Sequence, residues 1–372
     1  MKVGSVKEIK QNEFRIGLTP NNVSDYKSNG HEVFIEAGAG VGSGFSDDMY
    51  KAAGATILGS AKEVWSTCDM IVKVKEPLEP EYSMMKEGQI IYTYLHLAAD
   101  RPLTEALLKN KVKAVAYETV TDNNGGLPLL KPMSEVAGKV SIQAGARSLE
   151  KLQGGAGVLL GGVPGTRKAN VMVIGGGAVG VSAMKMAMGL GANVTIFDNN
   201  LDRLTYLDDV FGSKIQTMYS TPAKIAELLP TMDLVVGAVL LPGGAAAPKL
   251  IKKEHLKTMK PGSVIVDVAI DQGGCAETSR VTYHSDPVFI EDGVVHYCVA
   301  NMPGAVPQTS TVALTNATLS IGLKIANMGV EAACRADKNI IPGVNCYSGH
   351  LVNEPVAKEF GIELKNLMDV LA

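Results

Sequence analysis

Val171-Met172-Val173-Ile174-Gly175-Gly176-Gly177-Ala178-Val179-Gly180 runs four β-prone apolar residues straight into a glycine turn. Val179 to Leu190 then has the composition of an apolar helix, and Asp198 closes a second apolar run, Val194-Thr195-Ile196-Phe197, 23 residues after Gly175. A strand, a G-x-G-x-x-G turn, a helix and a distal acid in that order mark a dinucleotide site. Gly175 permits the tight turn, Gly177 admits the pyrophosphate to the backbone, and Gly180 lets the helix pack closely on its strand. The helix amino terminus, with Ala178 and Val179, then meets the phosphates. A carboxylate at Asp198 accepts hydrogen bonds from both hydroxyls of an adenosine ribose and repels a 2′-phosphate, which selects NAD over NADP.

Outward from this turn, short β-branched runs alternate with helical stretches in two successive series, the pattern of parallel sheets with crossover helices. The second series supplies Val171 to Ile174, Val194 to Phe197, Ile215 to Met218, Leu234 to Gly237, Val264 to Val268 and Val294 to Val299, enough for a full Rossmann domain. The first supplies Lys2 to Val6, Val33 to Glu36, Met70 to Val74, Gln89 to Leu95 and Lys113 to Ala116. Helices are expected between them at Pro20 to Ser28, Glu63 to Ser66 and Pro102 to Lys109, the last capped by Asp100. Asp122-Asn123-Asn124-Gly125-Gly126-Leu127-Pro128 separates the series. After it, Ser310 to Val330 reads as a long helix with no further strand series, so this tail is expected to return to the first domain. The fold expected is α/β, with two doubly wound parallel-sheet domains. One is the dinucleotide-binding domain, 129–306, and the other a discontinuous substrate domain, 1–128 with 307–372. Two crossings between domains suit a hinge.

Composition narrows the function classes. The 372 residues are 46% apolar and 20% charged, with 35 basic against 38 acidic residues and a net charge of −3. No basic block or stripe suggests nucleic acid. Cys68, Cys275, Cys298, Cys334 and Cys346 are odd in number and lack a C-x-x-C pair, so no disulfide framework or zinc cage is expected. The amino terminus has no apolar signal core, and no uncharged run reaches the length of a membrane span, so a cytoplasmic protein without a membrane partner is expected.

Ligands of open parallel sheets bind beyond the carboxyl ends of the strands. Four residues of the first series fall there: Arg15 after the first strand, Lys75 after Ile71-Val72-Lys73-Val74, His96 after Ile90-Ile91-Tyr92-Thr93-Tyr94-Leu95, and Glu118 after Val115-Ala116-Tyr117. An arginine holds a carboxylate bidentately, a lysine polarises a carbonyl, and a histidine moves a proton near neutral pH. Together they suit a 2-oxo acid. Lys75-Glu76 also reads as a solvated charge pair. In the second series, Val264-Ile265-Val266-Asp267-Val268-Ala269-Ile270-Asp271-Gln272-Gly273-Gly274 carries an apolar strand into an acidic glycine turn, where Asp271 is either a site carboxylate or an Asx cap of the turn. No histidine spacing supports a metal; only Glu118 leaves that question open.

At this point the chain resembles the L-alanine dehydrogenase family from Met1 to nearly its carboxyl end. The carrying segments are Lys7-Glu8-Ile9-Lys10 with Glu13-Phe14-Arg15, Lys73-Val74-Lys75-Glu76-Pro77, Tyr94-Leu95-His96-Leu97-Ala98, Leu130-Lys131-Pro132-Met133-Ser134-Glu135, Gly175 to Gly180, Asp267 to Gly274, and Val299-Ala300-Asn301-Met302-Pro303-Gly304-Ala305-Val306-Pro307. The resemblance implies an NAD-dependent enzyme interconverting L-alanine with pyruvate and ammonia. It implies pyruvate binding by Arg15 and Lys75, with His96 and Asp271 as the catalytic acid-base pair. It further implies cofactor contacts from Ser134, Asp198, Arg203, Ser220, Val239, Leu240, Val268, Ala269, Ile270, Asp271, Arg280, Val299, Ala300, Asn301 and Met302, and a homohexamer. Two related alternatives share the glycine signature: the soluble NAD-binding component of a proton-translocating transhydrogenase, and a saccharopine- or lysine-type dehydrogenase.

Overall fold

The computed structural model describes residues 1–239 and 246–371. The chain divides into two compact units, Met1–Met133 with Val306–Ala372, and Ser134–Ala305.

In the first unit, strands β1 (Lys2–Ser5), β2 (Glu32–Glu36), β3 (Thr56–Leu58), β4 (Met70–Val72), β5 (Ile90–Thr93) and β6 (Lys113–Ala116) are parallel, in the order β3-β2-β1-β4-β5-β6. That order reverses at β1 and β4, the switch point of a doubly wound sheet. Met70, Ile71 and Val72 are all buried, as a strand covered on both faces requires. One face packs Ile71, Ile91 and Ala114 against Trp65, Leu103 and Leu107. On the other, helix Pro20–Ser28 begins with a Thr19/Asn22 capping box, and Tyr92 donates to Thr318 O at 3.1 Å. At Gly322, in helix Pro307–Ala336, a Cβ would stand 2.3 Å from Tyr26 Oη, so glycine lets this helix lie close to Tyr26.

In the second unit, β7 (Asn170–Ile174), β8 (Asn193–Asp198), β9 (Gln216–Tyr219), β10 (Leu234–Gly237), β11 (Val264–Asp267), β12 (Val288–Glu291) and β13 (Val294–Tyr297) follow the order β12-β13-β11-β10-β7-β8-β9. All pairings are parallel except that of β12 with β13. The switch point falls between β7 and β10, beside the glycine turn. The α/β, doubly wound class expected from the sequence holds for both sheets.

Three differences have physical causes. The tail is not free of strands: β14 (Val344–Tyr347) pairs antiparallel with β6 and β15 (His350–Leu351) with β14. Their mixed polar sequence lacks the apolar run of a central strand. β3 and β12 were likewise not expected, being short edge strands with exposed or half-buried residues. The helical stretch expected at Ser310 to Val330 spans Pro307–Ala336, and Gly329 breaks it with φ 79° and ψ 166°, a conformation outside the helical region.

Candidate active site

Around the glycine turn of the second unit, the three glycines have different reasons to be glycine. Gly175 has φ 108°, and a Cβ there would lie 2.6 Å from Ala238 O; at Gly180 a Cβ would lie 1.7 Å from Gly175 O. Both are demanded by the protein's own packing. At Gly177 a Cβ would meet nothing within 4 Å. Gly177 is the N-cap of helix Ala178–Gly189 and offers no side-chain cap, so the amides of the first turn remain available to an anion. A cradle open only at the middle glycine fits a dinucleotide pyrophosphate.

Asp198 ends β8. Its Oδ2 accepts from Gly176 N at 2.6 Å and its Oδ1 from Asn200 N at 2.8 Å, which fixes the carboxylate beside the turn. Arg203 donates from Nε to Gly176 O at 2.7 Å and stacks on Tyr206. Ser220, whose N–H bonds Asp198 O, follows β9. Val239 follows β10, Val268 to Asp271 form the 3-10 turn after β11, and Val299 to Met302 follow β13. All these positions therefore lie past the carboxyl ends of one sheet's parallel strands. Arg280 covers the Phe289 ring at 4.3 Å, and Ser134 lies in helix Lys131–Ser148. Leu240 is outside the described residues.

In the turn after β11 the capping carboxylate is that of Asp267, four residues before Asp271. It is fully buried: Oδ1 accepts from Ala269 N at 3.2 Å, and Oδ2 from Cys275 N at 2.8 Å, Ala276 N at 3.2 Å and Ser279 Oγ at 2.5 Å. Asp271 is exposed, and no hydrogen bond of its carboxylate is found among the described residues. Burial, then the nearby Asp267, pushes the Cys275 thiol well above its ordinary range, which disfavours the thiolate.

The first unit gathers Arg15, Lys75, His96 and Glu118 past the ends of β1, β4, β5 and β6. Arg15 is 2% exposed and held by Glu13, whose Oε1 accepts from Nε at 2.7 Å and whose Oε2 accepts from Nη2 at 2.5 Å. Its Nη1 contacts Met133 Sδ at 3.1 Å. Lys75 is half-buried. Burial, then the Arg15 charge, lowers its pKa from the ordinary lysine value, against the attraction of Glu76 and Glu13. Glu76 is not the solvated partner of Lys75: it is buried, and it pairs with Lys10 and His96. Burial opposes its charge, but the His96 hydrogen bond, Lys75 and Lys10 outweigh that and hold its carboxyl well below the usual range.

His96 takes a left-handed backbone, φ 50° and ψ 37°, which costs a non-glycine residue roughly 1–2 kcal/mol. Glu118 offsets this, accepting from His96 N at 2.7 Å and from Leu95 N at 3.0 Å. Both contacts employ Glu118 as a backbone clamp. Among the described residues no group of three or more His, Cys, Asp or Glu is placed to hold a metal ion. The His96 ring stacks on Tyr94 at 5.9 Å, and its Nδ1 lies 3.4 Å from Glu76 Oε2.

Beneath this rim, Lys73 is fully buried between Glu8 at 3.0 Å and Glu81 at 2.9 Å. Burial disfavours its charge, yet the two carboxylates raise its pKa overall. Glu8 also accepts from Val74 N and Lys75 N, so this trio anchors the turn that carries Lys75. Sequence alone did not single out Glu8, Glu13, Lys73, Glu81 or Asp267. Charged residues in K-x-K-E or E-x-R spacing look like solvated surface.

Models of the alanine dehydrogenase/PNT family match the chain, the N-terminal domain over residues 4–137 and the C-terminal domain over residues 141–354. The chain is 51% identical over 372 residues to an alanine dehydrogenase of Mycolicibacterium smegmatis, covering 100% of both chains. A solved L-alanine dehydrogenase superposes with a TM-score of 0.94 at 51% identity, over 97% of this chain and 99% of that one. A transhydrogenase from Sinorhizobium meliloti superposes with a TM-score of 0.82 at 24% identity, over 95% and 99% of the two chains, a likeness of fold alone.

Proposed function

The chain belongs to the alanine dehydrogenase/PNT family, and we propose on that premise that it catalyses the reversible oxidative deamination of L-alanine to pyruvate and ammonia. The observation that carries this reading is the first-unit rim, where a buried arginine, a half-buried lysine and a histidine follow three neighbouring parallel strands. That set suits a small 2-oxo or 2-amino acid. A nicotinamide dinucleotide, when bound, supplies the hydride acceptor for the α-hydrogen. NAD is preferred to NADP because the Asp198 carboxylate, fixed by two backbone amides, repels a 2′-phosphate.

Arg15, oriented by Glu13, binds the substrate carboxylate. Glu13 already balances the Arg15 charge, so the Lys75 ammonium supplies the attraction for the oxygen of the carbinolamine or of pyruvate. His96 moves the proton as water adds to the imine and ammonia leaves. Asp271, a carboxylate the turn does not consume, steadies positive charge on the substrate nitrogen. The remaining cofactor positions hold the dinucleotide, most of them at the strand ends of the second unit. The five free, buried cysteines support a cytoplasmic placement, and the family resemblance supports a homohexamer.

The test is a panel. Purified protein with NAD should form NADH with L-alanine and far more slowly with D-alanine, L-serine, L-lysine or lactate. His96→Ala and Asp271→Ala should each cut turnover roughly 100-fold or more, and NADH affinity should stay within about twofold in His96→Ala. A preferred substrate other than L-alanine would overturn the function, and unimpaired variants would overturn the two assignments.

A further inference from the structure

His96 is gripped twice, by carboxylates from two different strand ends. Glu118 holds its backbone at 2.7 Å, and Glu76 meets its ring at Nδ1. An ionised carboxylate only accepts hydrogen bonds, so a hydrogen bond between it and Nδ1 puts the proton on that nitrogen. In the neutral imidazole the lone pair then sits on Nε2. Glu76 is itself buried and secured on its other oxygen by Lys10, and Tyr94 stacks on the imidazole and limits its rotation. Tyr94 is in turn pinned by its hydroxyl to Leu129 O at 2.7 Å.

We propose that Glu76 is the positioning residue of the reaction: it fixes His96 in the tautomer with Nδ1 protonated and thereby makes Nε2 the atom that takes up and returns the proton as water adds and ammonia leaves. This assignment rests on the proposed alanine dehydrogenase reaction and says which atom of His96 works and what holds it. The Lys75-Glu76 pair of the sequence thus divides its labour, Lys75 serving the substrate and Glu76 serving the histidine. Glu118 serves the same ring indirectly, by holding the left-handed backbone from which it projects.

Glu76→Gln keeps size and shape but removes the charge, and its amide can present either oxygen or N–H to Nδ1. Both tautomers then become accessible. Where a carboxylate orients a catalytic histidine tightly, the equivalent loss reaches about 10⁴ in kcat. With the 3.4 Å contact and a half-exposed ring, kcat should fall roughly 10- to 100-fold. KM for NADH should stay within about threefold, because Glu76 is assigned no contact with it; KM for pyruvate should rise beside the fall in kcat, because the Lys75 ammonium loses the attraction of Glu76. Glu76→Asp, which keeps the charge on a shorter arm, should retain a higher kcat than Glu76→Gln.

The wild-type protein is assayed first with pyruvate, ammonium and NADH; failure to turn over would sink the function itself rather than the role of Glu76. With an active wild type, a Glu76→Gln variant of normal kcat would overturn the proposal. So would a loss confined to KM, or a Glu76→Asp variant no better than Glu76→Gln. Melting curves of both variants accompany the kinetics, and a kcat loss in a variant melting like the wild type is the expected result.

Discussion

Replacing Gly177 with alanine separates what the fold needs from what the ligand needs. The added Cβ meets no protein atom within 4 Å, and Gly177 already has an ordinary φ of −72°. The only structural cost is the poorer N-cap, about 1 kcal/mol or less, which in a unit of this size lowers Tm by roughly 2–4 °C at most. With the cofactor bound as proposed, the methyl group would occupy the space through which the pyrophosphate reaches the helix amides. Overpacking at such a contact costs about 1–3 kcal/mol, so NADH affinity should fall roughly 5- to 150-fold. Gly180→Ala is the control: its Cβ would lie 1.7 Å from Gly175 O, and the free protein should lose about 1–3 kcal/mol or more of stability before any ligand is added. Fluorescence titration with NADH and thermal melting of the free proteins measure both quantities. A Gly177→Ala protein that binds NADH within twofold of wild type, or melts as early as Gly180→Ala, would refute the assignment of the open glycine to the pyrophosphate.

Three further outcomes are expected. Asp267→Asn should cost more than about 2 kcal/mol in urea unfolding, because the amide N–H₂ would face one of the backbone donors that Asp267 now accepts; a loss below about 0.5 kcal/mol would contradict this. Asp198→Ala should narrow the preference for NADH over NADPH in kcat/KM, and an unchanged preference would dismiss the ribose contact. His296 is buried between Thr278 Oγ1 and Val294 O, and burial lowers its pKa below the ordinary histidine value. The unfolded chain therefore binds the proton first, so stability is full above about pH 7 and is lost as pH falls below the ordinary histidine range toward the depressed folded value. His296→Gln should flatten that loss in melting curves taken across the window, and an unaltered slope would rule His296 out as its source.

The central strands were legible in the sequence because strands buried on both faces must be apolar throughout: Val171 to Ile174 and Val264 to Val266 are buried along their length. β12, β14 and β15 escaped notice since antiparallel edge pairs need no such run, and Phe289 or Asn345 carries no local signal of pairing. For the candidate site, position after a strand end is the signal that singles out Arg15, Lys75 and His96, and they do follow three neighbouring strands. Their supports were not legible. Lys73 has the look of a surface charge, yet it is sealed between Glu8 and Glu81, whose places 65 residues before and 8 after it only the fold brings together. Asp267 and Asp271 stand four apart in one turn, and only the backbone geometry shows which of them the turn consumes.

In the proposed reaction the α-hydrogen of L-alanine leaves as hydride and its amino group as ammonia. The most direct measurement follows purified protein with NAD and L-alanine deuterated at the α-carbon, quantifying pyruvate, ammonium and deuterium in the reduced nicotinamide. One equivalent of each per L-alanine consumed is the result expected. Reduced nicotinamide without deuterium, or formed without ammonium, would contradict it.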